Sequence, residues 1–184
     1  MNRVVKGATV LLTILGAVSI CVAQDKLRRV EQPSFYIYPN TPVSVEVKFE
    51  GDAMSNREII AGPNWLHKLS LEVTNTSGKD IRFLRIFLVL RRATREAMRS
   101  SKPAPETTSV VITLEFPLSN SAEKILPSGE RVTMKPGTSM VELWTNHLRK
   151  QGMEDIEKVY LDINRVGFTD GTSWVMGREY RQDP

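Results

Sequence analysis

The feature that most constrains this chain is an alternation of apolar and polar residues with a period of two. Val43, Val45, Val47 and Phe49 alternate with Ser44, Glu46 and Lys48. Leu69, Leu71 and Val73 alternate with Ser70, Glu72 and Thr74, and Val110, Ile112, Leu114 and Phe116 make a third run, closed by Pro117. Successive side chains of a strand point to opposite faces, so each run lays its apolar set on one side of a half-buried strand. A helix needs apolar residues about 3.6 apart. Met140, Leu143, Trp144, His147 and Leu148 have that spacing and predict one helix over about 139–149.

The connecting stretches fit the same reading. Phe35 to Tyr38 reads as a strand, and Pro39-Asn-Thr-Pro42 and Asn75-Thr-Ser-Gly-Lys79 as turns, with 51–63 as a loop. In 81–90 the apolar face switches between Phe83 and Leu84, which predicts a bulge or a strand buried on both sides. A short strand over 131–134 follows the turn at Pro127-Ser-Gly-Glu130. Val159, Leu161 and Ile163 open a final hairpin that returns through Trp174 to Tyr180. Asp170-Gly171 suits a two-residue type I′ turn, which would set Gly167 opposite Trp174 with no bulge. Val159, Leu161, Ile163, Gly167, Trp174 and Met176 would then share one face. Tyr160, Val166, Phe168 and Val175 would line the other, covered by the helix or by 35–38 unless it is a partner surface.

Seven or eight short strands without βαβ alternation predict an all-β fold, an antiparallel β-sandwich with one short helix; a β-barrel is the alternative. Leu69-Ser-Leu-Glu-Val-Thr-Asn-Thr-Ser-Gly-Lys-Asp-Ile81 resembles the strand–turn–strand pattern of immunoglobulin-like β-sandwich domains in exported bacterial proteins. Val166-Gly-Phe-Thr-Asp-Gly-Thr-Ser-Trp174 resembles the last hairpin of uncharacterised secreted bacterial sandwiches. The resemblance implies an immunoglobulin-like fold in a class of domains that mostly bind, space or present. It carries over no catalytic residue.

The first residues set the compartment. Arg3 and Lys6 precede an uncharged run from Gly7 to Gln24, rich in small residues, that closes on Cys21-Val22-Ala23. This predicts a signal peptide over 1–23, a polar leader over 24–34 and a β-sandwich domain over 35–184. The rivals are a retained membrane anchor and lipidation of Cys21, which Ile20 disfavours because lipoprotein signals want a small residue there. Cleavage after Ala23 removes the single cysteine and leaves no transmembrane span. It also removes Arg3 and Lys6, halving the net charge of +4, so basicity does not argue for nucleic acid. A secreted or periplasmic bacterial protein held together by its core is the expected setting.

Motifs of chemistry are sparse. His67 and His147, the two histidines, lack a second ligand at metal spacing, and His147 falls on the apolar helix face. No nucleophile elbow and no phosphate-cradling glycine loop occurs, and Glu154, Asp155 and Glu157 lack the glycine of a calcium loop. Asn75-Thr-Ser77 matches a glycosylation sequon. No metal or cofactor is expected. Two ligand features remain. Trp65, after Gly62-Pro63-Asn64, is a candidate exposed platform for a sugar ring. Arg91, Arg92, Arg95, Arg99 and Lys102 form a candidate basic strip for anionic envelope polymers or lipid head groups.

The functional expectation is an exported, non-enzymatic binding or scaffold module at the bacterial cell envelope. Its partner would be an envelope protein or polymer, with peripheral membrane contact and no nucleic acid. The alternatives are a carbohydrate-binding module, or a hydrolytic or metal-dependent enzyme with a dispersed site. An enzyme should gather His67 or His147 with two or more carboxylates in one hollow, and a scaffold should show none.

Overall fold

The computed structural model describes residues 25–90, 110–117, 124–150 and 155–181. Eleven strands and one α-helix follow in chain order: β1 (Lys26–Glu31), β2 (Val43–Phe49), β3 (Asp52–Ala53), β4 (Glu58–Ala61), β5 (Leu69–Asn75), β6 (Ile81–Leu90), β7 (Val110–Phe116), β8 (Arg131–Met134), α1 (Thr138–Lys150), β9 (Lys158–Phe168), β10 (Thr172–Val175) and β11 (Arg178–Arg181). They make two sheets, mostly antiparallel. The smaller is ordered β3-β2-β5-β8. In the larger, β6 lies on one side of β9 and carries β7, while β1 and β10 share the other side, leading to β4 and β11.

The period-two runs place the core. Val47 pairs with Leu71 and Phe49 with Leu69 across β2 and β5, and all four are buried. From the larger sheet Leu84, Ile86, Leu88, Val159, Leu161 and Val166 join them in one continuous cluster. Among the described residues, α1 is the one α-helix. Its inward face is Val141 and Leu148 with Trp144 partly covered, whereas Met140 and Leu143 of the expected stripe are exposed. His147, expected on that apolar face, stands on the exposed side with its ring edge-on to Trp144 at 5.8 Å.

Several elements differ from their sequence reading. Lys26–Glu31, read as a polar leader, is β1, set between β4 and β9 and parallel to β9. The alternation is there, but its inward residues are Arg28 and Val30, so a charge stands where an apolar residue is expected. The loop over 51–63 contains β3 and β4, and Ser34–Tyr36 is a 3-10 turn rather than a strand. The bulge of β6 falls at Arg82, one residue before the expected switch, and a second at Asn164 of β9 keeps Ile163 and Val166 on the core side.

The final hairpin has a different register from the expected one. Gly167 pairs with Ser173 and Val166 with Trp174, so Trp174 shares the core face with Val166 and Phe168. The loop is three residues long. Gly171 N–H donates to the Phe168 carbonyl at 3.3 Å, and Gly171 alone of the loop has a positive φ, +83°, the type I turn plus left-handed glycine of a three-residue hairpin. This register buries Trp174 to 4% exposure. Burying a large aromatic contributes about 3 kcal/mol, and the two-residue turn would have turned the indole to the opposite face. A type I′ turn does occur, at Met176-Gly177, with φ of 46° and 86°, and it splits the expected return strand into β10 and β11. Met176 therefore lies in a turn, not on the core face. Phe168 is 3% exposed, so this part of the hairpin is covered. The 34–38 segment does pack on β9, with the Tyr38 ring edge-on to Trp174 at 5.7 Å.

Candidate functional site

The end of the molecule where the β5–β6 turn meets the last hairpin forms a cleft of about 370 Å³. Its floor is Phe168 and Trp174, and its rim includes Thr41, Ser77, Lys79 and Glu179. The β5–β6 turn is fixed by Asn75, a fully buried residue. Its amide nitrogen donates to the carbonyls of Lys79 and Leu126, both at 2.9 Å, and its oxygen accepts from the Ser77 N–H at 3.0 Å and hydroxyl at 2.7 Å. An asparagine side chain mimicking a backbone turn is a familiar device. Here it consumes both amide hydrogens, so the Asn75 sequon is a structural corner, with no side chain free to carry a sugar.

That turn delivers Lys79 to the hairpin. Its ammonium donates to Thr172 Oγ1 at 3.0 Å, pairs with Asp170 at 3.1 Å and with Glu179 at 2.5 Å, and sits 5.1 Å from the centre of the Phe168 ring. Hydrogen bonds from the Thr172 hydroxyl and N–H, with Lys79 beside them, hold the Asp170 carboxyl down to about 2. Glu179, then Asp170, push the Lys79 ammonium above its ordinary value. Both groups keep their charge across the neutral range.

Beside Tyr38, Asp162 is buried and its carboxyl is raised by burial, while a hydrogen bond from the Tyr38 hydroxyl opposes the rise. The same burial and the Asp162 charge push the Tyr38 phenol up to about 12. Asp162 Oδ1 and Trp174 Nε1 are both buried without a hydrogen-bond partner.

Trp65 is not an exposed platform. It lies in the 3-10 turn Trp65–Lys68, is 1% exposed, and its indole N–H donates to the Ile156 carbonyl at 2.7 Å. The same carbonyl accepts from Arg28 Nη1 at 3.0 Å, Arg28 Nε donates to the Ala61 carbonyl at 2.9 Å, and Arg28 pairs with Asp155 at 2.8 Å. Trp65 and Arg28 thus form a buried tie joining β1, the end of β4 and the approach to β9. Lys26, beside both Asp155 and Glu157 at 3.4 Å, takes up the rest of the described acidic cluster. Sequence patterning missed this tie because its partners are carbonyls, which every residue carries.

The basic strip Arg91, Arg92, Arg95, Arg99 and Lys102 lies outside the described residues, as do Cys21 and the expected signal peptide. His67 does share a hollow of about 440 Å³ with two carboxylates, Glu50 and Glu72, together with Lys48, Lys68 and Lys135. Each carboxylate is held by cations: Lys68 reaches Glu50 at 2.6 Å, and Lys48 and Arg131 reach Glu72 at 2.7 and 3.0 Å. The hydrogen bond from Lys48 comes first in lowering the Glu72 carboxyl. This is the gathering expected of an enzyme rather than of a scaffold, and among the described residues the His67 imidazole makes no hydrogen bond or ion pair to either carboxylate. No group of three or more histidine, cysteine, aspartate or glutamate side chains suited to a metal occurs among the described residues, and none of their helices is long and apolar enough to cross a membrane. Compared with models of known families, with curated proteins and with solved structures, the chain finds no match.

Proposed function

We propose that this protein is an exported, non-enzymatic binding or scaffold module at the bacterial cell envelope, built as an immunoglobulin-like β-sandwich. One observation carries the binding reading: the cleft over Phe168 and Trp174 has a fixed mouth whose rim charges are locked in mutual pairs. Lys79 and Asp170 are shifted away from neutrality, the opposite of what proton-transfer chemistry wants. A preformed hollow with an aromatic floor and placed hydrogen-bonding groups suits recognition. Export rests on the basic start and uncharged run before Ala23. The strip from Arg91 to Lys102 is the proposed foot on anionic polymer or lipid, where each cation adds about 1 kcal/mol.

The test has two arms in a bacterial host expressing the full chain. Fractionation with mass measurement should find the chain outside the cytoplasm and shortened by residues 1–23; a full-length cytoplasmic product overturns export. Co-sedimentation with cell-wall fragments across a salt series should show binding that weakens with Lys79→Met in the cleft, or with serine at Arg91, Arg92, Arg95, Arg99 and Lys102. Absence of binding at low salt overturns the envelope module.

A second reading, a hydrolase, draws on the hollow of His67, Glu50 and Glu72. Turnover of ester or glycoside substrates that His67→Ala abolishes would replace the first reading with this one.

A further inference from the structure

On the outward face of the larger sheet, β6 and β9 bring arginines together beside Ser173 of β10. Arg85 of β6 stands directly opposite Arg165 of β9, a position where like charges repel. The Phe83 ring lies 5.2 Å from the Arg85 guanidinium carbon and 5.9 Å from that of Arg165. With Arg82, Gly167 and Ser173 these residues line a hollow of about 320 Å³. Gly167 pairs with Phe83 across the strands, and a Cβ there would stand 3.3 Å from the Phe83 Cβ, so the bare backbone seats the ring.

Among the described residues, Glu115 of β7 is the carboxylate that pairs with Arg85, and its Oε1 takes both the Nε and Nη2 of Arg85, at 2.8 and 2.7 Å. Arg165 has no ion pair among the described residues. Its Nη2 reaches Ser173 Oγ at 3.5 Å, and its Nε is buried without a hydrogen-bond partner. Arg165 thus combines a positive charge, no ion pair among the described residues and a guanidinium lining the hollow. Natural sheets set opposite charges across from one another to avoid this arrangement, and a guanidinium fork fits phosphate or carboxylate in a bidentate manner.

We propose that this hollow is an oxyanion site in which Arg165 and Arg85, with Arg82 at the rim, hold a phosphate or carboxylate group of a ligand beside the Phe83 ring. The site is on the outer sheet face, away from the cleft over Trp174, and its occupant neutralises the Arg85–Arg165 repulsion. Two chemistries share the recognition, a tetrahedral phosphate and a planar carboxylate, and one titration separates them.

The experiment is an NMR titration of the full ¹⁵N-labelled chain with inorganic phosphate and with succinate, at ionic strength held constant with chloride. Saturable shifts at the Arg165 and Arg85 Nε–Hε signals are expected, with the stronger anion naming the group recognised. Arg165→Gln should weaken binding at least tenfold, while Arg178→Gln on β11 leaves it unchanged. Glu115→Gln, which releases Arg85 from its intramolecular carboxylate, should tighten binding several-fold, a direction that loss of fold does not produce. Shifts that do not saturate with either anion, or wild-type affinity in Arg165→Gln, overturn the site.

Discussion

Two arginine environments within one sheet show how differently this fold treats the same side chain. Arg28 on β1 is fully buried, held by two backbone carbonyls and the Asp155 carboxylate, although its Nη2 is buried without a hydrogen-bond partner. Arg165 on β9 is partly exposed, opposite another arginine, with a buried Nε that finds no acceptor. The first is a tie. Its charge is compensated inside the molecule, and removing it takes away the Ala61 carbonyl's side-chain donor and the cation nearest Asp155. The second has no ion pair among the described residues and stands opposite another arginine. Each arginine keeps one buried donor without a partner, so what separates the structural one is the carboxylate that pairs its charge.

The comparison is broken most forcefully at the tie. Arg28→Ala should destabilise the protein by about 3–5 kcal/mol, because one partner of a buried pair is removed, read as a lower urea midpoint. A loss under about 1 kcal/mol would mean that the tie is incidental. Asn75→Ala should cost about 2–3 kcal/mol in the same assay, since it removes the side-chain hydrogen bonds to the Lys79 and Leu126 carbonyls and from Ser77 that fix the corner. Trp65→Phe keeps the apolar bulk but loses the bond to Ile156, and about 1 kcal/mol is expected.

Smaller substitutions sharpen the reading of the hairpins. Gly177→Ala should destabilise by about 1 kcal/mol or more, because φ is +86° and a Cβ would meet Tyr38 and Pro39 at 3.2 Å. Met176→Asn, placing a residue that tolerates φ of 46°, should stabilise by about 0.5 kcal/mol, seen as a rise in Tm. Were Met176 instead on the core face, the same change would be destabilising.

The smallest effects are in pH. Asp170 has a folded value of about 2, below its unfolded one, so its contribution is present above about pH 4 and fades as pH falls toward 2. Asp170→Asn should remove that slope from a plot of stability against pH. Asp162 has the opposite sign. Its folded value is raised, so stability is lost as pH climbs past the unfolded value and levels off above the folded one. Asp162→Asn should therefore gain stability near pH 7 and show no gain in acid.

Local patterning determined much of this protein. The runs at 43–49, 69–75, 110–116 and 131–134 are strands, and a helix covers 138–150, because the direction of a side chain follows from its own backbone and its neighbours. The tertiary structure decided what depends on distant partners. Arg28 goes inward because Ala61 and Ile156, 33 and 128 residues away, present carbonyls to it. Trp65 is covered rather than displayed because Ile156 accepts its N–H from 91 residues away. At the final hairpin Asp170-Gly171 was compatible with a two- or three-residue loop, and the choice fell to the register that buries Trp174 against Val166 and Phe168. The oxyanion hollow has the same origin. Arg85 and Arg165 are unremarkable in their own strands, and only strand pairing, set by the bulges at Arg82 and Asn164, stands them face to face. Alternation is written along the chain, whereas charge compensation is settled between strands, because the acceptors that complete a donor come from wherever the fold delivers them.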